Sequence, residues 1–126
     1  MLFDGARLWL IDWETACRND PMVDVAILAD NLAATPELTG ELLRTWLGRA
    51  TSADEAQRLE DVRRLTRLYY AGLLIGVGAK QDALIDDLSA PTREEAEELQ
   101  RRGELSEVTP DALLLAGKMC LAAFLG

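Results

Sequence analysis

The chain has no histidine and only two cysteines among its 126 residues. Without histidine it lacks the commonest general base and metal ligand near neutral pH, which excludes histidine-dependent triad hydrolases and most zinc enzymes. Cys17 and Cys120 are too few and too far apart for a disulfide framework or a zinc cluster, so they read as free thiols in a reducing compartment. Positive charge is scarce as well, with 13 basic residues against 22 acidic ones and a formal net charge of -9. Such a balance disfavours nucleic acid as a partner and is compatible with a cationic small molecule. No run approaches the roughly 18 uninterrupted apolar residues that a membrane span needs. Met1 is followed almost at once by Asp4, with no basic leader or apolar signal region. The expectation is a cytoplasmic protein without a membrane partner.

What is present suits one unit over residues 1–126: 49% of the residues are hydrophobic, enough for a modest core. Residues 1–12 read as two short strands joined at Asp4-Gly5, a dipeptide suited to the positive φ angles of a tight hairpin. Everything from residue 21 onward reads as helix. The expected fold class is therefore mainly α, a short N-terminal β-hairpin followed by about five helices.

Start signals divide the helical part. Asp20-Pro21 caps a first helix from Met22 to Ala34, and Thr35-Pro36 opens a second in which Leu38, Leu42, Leu43, Trp46 and Leu47 share a face. Ser52 and Glu55 fit a capping box ahead of a long helix where Leu59, Val62, Leu65, Tyr69, Leu73 and Val77 recur at three- and four-residue steps. That spacing predicts the main core helix, with Gly72 and Gly76 letting a neighbouring helix approach or marking a bend. Thr92 and Glu95 form a second capping box before a charged surface helix through Arg102. Thr109-Pro110 opens the last helix, with Leu113, Leu114, Gly117, Cys120, Leu121 and Phe124 as its apolar stripe.

Chemistry concentrates in residues 8–26. An apolar strand, Leu8 to Ile11, ends on the carboxylate of Asp12, and a capped helix with Asp24 in its first turn begins a few residues later. A carboxylate fixed at a strand end can hold a divalent cation, or it can simply bond its own turn. An acid in a first helical turn is favoured by the helix dipole and needs no other purpose. Gly76-Val77-Gly78 lacks the preceding strand and later glycine of a phosphate-binding loop.

Read together, Ile-Asp-Trp-Glu at 11–14, Asn-Asp-Pro at 19–21 and Asp-Val-Ala at 24–26 resemble the signature of the aminoglycoside phosphotransferase and choline kinase family, closest to bacterial choline kinase-type members. The resemblance is dense over residues 1–32 and architectural beyond. It implies the C-terminal lobe of a protein-kinase-like fold, with a hairpin ending at a metal aspartate and a helical subdomain over 21–126. By that resemblance Asp12 holds the Mg²⁺ that bridges the phosphates of ATP, and Asp24 accepts bonds from the catalytic-loop backbone and supports that loop. Trp13 and Glu14 follow the metal aspartate, where they either pack or border the acceptor pocket. Trp46, Tyr69 and Tyr70 either pack in the core or offer aromatic faces to a cationic acceptor.

The family's catalytic loop, with its base aspartate and its asparagine metal ligand, does not occur in these residues, nor does the N-terminal lobe. The resemblance thus implies part of a kinase transferring the γ-phosphate of ATP to an alcohol of a small cation such as choline or an aminoglycoside. The missing N-terminal part of the same protein, or a partner chain, is then required, and the chain alone is expected to be inactive. The alternative is a non-catalytic truncated pseudokinase or helical interaction module.

Overall fold

In the computed structural model, which describes residues 2–9, 17–33, 35–80, 89–103 and 109–126, the local start signals place the helices. Five are described: α1 (Met22–Leu32), α2 (Pro36–Leu47), α3 (Ala53–Lys80), α4 (Arg93–Arg101) and α5 (Pro110–Leu125), giving the mainly α class expected. The hydroxyls of Thr35 and Thr109 accept from the backbone N–H of Leu38 and Ala112, each at 3.3 Å, beside prolines that need no intrahelical donor. Thr92 and Glu95 form the reciprocal box at α4. At α3, Ser52 N–H donates to Glu55 at 2.9 Å while Glu55 N–H donates to the Ser52 hydroxyl at 3.2 Å. The Arg49 guanidinium beside Glu55, helped by Ser52, holds that carboxyl down at about 2. Gly48 ends α2 at φ 67°, a left-handed angle that glycine adopts without strain.

Ahead of the helices, two-residue strands β1 (Leu2–Phe3) and β2 (Leu8–Trp9) pair antiparallel, Leu2 opposite Trp9 and Phe3 opposite Leu8. Asp4 organises the turn: its carboxylate accepts from the N–H groups of Ala6 and Arg7 at 2.9 and 2.8 Å and from the Trp9 indole at 2.8 Å. The expected continuation to Asp12 lies outside the described residues.

Two packed regions share α3. Near its start, Leu59 joins Met22, Val25 and Ala26 of α1 and Leu43 of α2 in a buried cluster, with Leu42, Leu47 and Val62 partly buried around it. Toward its end, α3 lies against α5, which runs antiparallel to it: Gly78 meets Pro110 and Leu114, Gly117 meets Leu74 and Ile75, and Arg67 reaches the Ala123 carbonyl. A Cβ on Gly117 would fall 2.7 Å from Ile75 Cγ1 and 2.8 Å from its backbone nitrogen. A Cβ on Gly78 would fall 3.0 Å from the Pro110 carbonyl oxygen. The helices touch backbone to backbone because these two positions carry no side chain.

This arrangement corrects three expectations. Gly78 and Gly117 admit the neighbouring helix, whereas nothing among the described residues comes within 4 Å of a Cβ built on Gly72 or Gly76. The stripe through Leu59 leaves the core after Val62: Leu65, Tyr69 and Leu73 are exposed, and Thr66, Ala71 and Gly78 are buried instead. The α5 crossing lies on another side of α3 and selects small residues, so a regular leucine spacing did not mark it. In α2, Leu38 and Trp46 are exposed, and the buried face centres on Leu43.

Gly117→Ala should lower the unfolding free energy by about 1 kcal/mol or more, because overpacking outweighs the gain in helix propensity. Urea unfolding with the midpoint unchanged or raised would contradict the backbone contact.

Candidate functional site

The first helical turn of α1 is built by Asp20, whose Oδ1 accepts from Met22 N–H at 3.0 Å and whose carbonyl accepts from Val23 N–H at 3.0 Å. Its other carboxylate oxygen accepts from Arg58 of α3 at 2.6 Å, fixing where α1 enters. These bonds, Met22 N–H first and then Arg58, hold the Asp20 carboxyl below its ordinary value. Asp24 stands on the turn thus fixed, exposed and without a hydrogen-bond partner among the described residues. Asp12, Trp13 and Glu14 lie outside the described residues, so the structure does not bring them together with Asp24.

Further along α1, the partly buried Asp30 is bonded by two arginines of α3, and sequence reasoning missed it. Arg67 binds it as a fork, Nε to Oδ2 at 2.9 Å and Nη2 to Oδ1 at 2.6 Å, while Arg63 Nε reaches Oδ1 at 2.8 Å. Burial alone would raise this carboxyl, but the Arg67 and Arg63 bonds outweigh it and hold the group below its ordinary value. Arg67 also donates to the Ala123 carbonyl at 3.3 Å, so one cluster ties α1, α3 and α5. The available signal was a pair of arginines four residues apart on α3, Arg63 and Arg67, with Asp30 as one of two acids on a largely apolar α1.

The cluster borders an open groove of about 620 Å³ between α1, α3 and α5, with Tyr70, Thr66, Met119 and Cys120 along it. Burial first, and then the Asp30 charge, push the half-buried Cys120 thiol up, away from the reactive thiolate. A larger cavity, about 920 Å³, lies between α2 and the start of α3, where the Thr51 hydroxyl oxygen is buried without a partner among the described residues. Of the aromatic candidates, Tyr69 and Tyr70 meet edge to face at 5.4 Å. Tyr69 and Trp46 are exposed, so neither fills the core. Both cysteines are unpaired.

No group of three or more metal-ligating side chains is present among the described residues, and no described helix is long and apolar enough to cross a membrane. Comparison with family models, curated proteins and solved structures returns no match.

Asp30→Ala should cost about 2 kcal/mol, since it strips a partly buried acceptor from two guanidinium groups. The native pKa of Asp30 lies below its ordinary value of 3.8, so its stabilisation is fully present above that pH and is lost as pH falls through the lower native value. Urea unfolding of wild type and variant should therefore differ at neutral pH and converge in acid; equal midpoints at neutral pH would contradict the role assigned to this cluster.

Proposed function

We propose that this chain carries the metal-binding strand and helical subdomain of a kinase-like phosphotransferase acting on a small hydroxylated cation. The observation that carries the reading is the ordered set Ile-Asp-Trp-Glu, Asn-Asp-Pro and Asp-Val-Ala within residues 11–26. The α1 geometry supports it: Asp20 bonds the first turn of the helix and Arg58, and Asp24 on that turn is exposed without a hydrogen-bond partner among the described residues. In this reading Asp24 accepts bonds from the catalytic loop and Asp12 holds Mg²⁺. Phosphoryl transfer concentrates charge on the transferred group and leaving oxygen, and a cation fixed by a carboxylate stabilises that charge.

In this reading the base and the second metal ligand come from a segment other than these 126 residues. The acidic balance of the chain suits either a choline-like or an aminoglycoside acceptor. A second reading, a non-catalytic helical module, draws on the large apolar side chains that α3 leaves exposed.

In an enzyme that joins this segment to its catalytic loop, Asp12→Asn should reduce turnover on the order of a thousandfold, with the helical circular dichroism unchanged. Wild-type turnover in that variant would remove Asp12 from the site. The 126 residues alone should show no transfer from Mg²⁺-ATP to choline or an aminoglycoside, and robust transfer would overturn the division of the site between two segments.

A further inference from the structure

We propose that the open face of α3 is a self-complementary interface through which two copies of this chain pair with their α3 helices antiparallel. Leu65, Leu68, Tyr69 and Leu73 are 64%, 42%, 65% and 44% exposed, an unusual cost for side chains of this size on one helix. Helical periodicity gathers them around Gly72 and Gly76, where nothing among the described residues occupies the space beside the backbone. The face is thus a ridge of large side chains next to a shallow glycine groove on the same helix.

The order of residues along this face selects a second copy as the occupant. A two-fold axis crossing α3 between Tyr70 and Ala71 sets Tyr69 of each helix against Gly72 of the other, and Leu65 against Gly76. Leu68 then meets Leu73, and Asp61 at one end meets Lys80 at the other. Every contact occurs twice, as an isologous interface requires. Each of Tyr69 and Leu65 finds a position without a side chain, and the apolar centre is closed at both ends by opposite charges. Those charges are available: Asp61 accepts one bond, from Gln57 of its own helix at 3.0 Å, and the exposed Lys80 has no partner among the described residues. A parallel pairing in register would oppose Asp61 to Asp61 and Lys80 to Lys80, which like-charge repulsion disfavours. One helix pair is a small interface, so the association is reversible, with a dissociation constant on the order of micromolar.

The proposal does not rest on the kinase reading and does not bear on it. Sedimentation equilibrium of the whole chain tests it, with Asp61→Lys, Lys80→Asp and the combined variant alongside. Both substitutions sit on exposed side chains outside the packed clusters, and circular dichroism checks that the helices remain in all three variants. Wild type should dimerise, each single reversal should weaken the dimer about tenfold, and the combined reversal should restore it to within about threefold of wild type. A monomer at every concentration up to about 0.5 mM would overturn the proposal, whether the face serves a different protein or none. A dimer in which the combined variant is no tighter than the single ones would overturn it equally, because the antiparallel register requires the exchange of charges to be reciprocal.

Discussion

The contact of Gly117 with the backbone of Ile75 is the constraint on which the arrangement of this chain turns. It brings α5 against α3 at a separation no larger residue permits, and the second glycine of the crossing, Gly78, extends the contact toward Pro110. Once α5 occupies that side of α3, the cluster of Leu59 with α1 and α2 must use another, and the side bearing Leu65, Tyr69 and Leu73 is left uncovered among the described residues. The 28-residue helix therefore does three different things around its circumference.

Electrostatics fixes the position of α1 on this frame. Hydrophobic burial by Val25, Ala26 and Ala29 is non-directional and tolerates sliding, whereas a forked guanidinium bond does not. Asp20 with Arg58 at one end of α1 and Asp30 with Arg63 and Arg67 toward the other set its register, and Arg67 carries the same constraint to α5. Partly buried ion pairs of this kind contribute more to uniqueness of packing than to net stability. In the proposed site, that register determines where Asp24 points.

Local chemistry was legible in the sequence, and packing was legible only in part. Thr35, Ser52, Thr92 and Thr109 each mark a helix start because a cap involves only residues three apart, and all four bonds are present. Periodicity found the core residues Leu43, Leu59 and Leu114, yet it extended the α3 stripe through Leu65 and Tyr69. A helix with apolar residues on several sides offers periodicity no means of choosing among them, and the chosen crossing is marked by glycine and alanine. The Asp30 cluster was missed because its members are 33 and 37 residues apart, and no local pattern joins them. Asp12, Trp13 and Glu14 rest on the motif alone, as they lie outside the described residues.

The central claim is that residues 11–26 are one half of a phosphoryl-transfer site with Asp12 as its metal ligand. Paramagnetic broadening by Mn²⁺ in the presence of ATP, measured on an enzyme that joins this segment to its catalytic loop, tests it most directly. Broadening centred on the backbone around Asp12 and abolished by Asp12→Asn is the predicted result. Broadening that spares this stretch, or that survives the substitution unchanged, would contradict it.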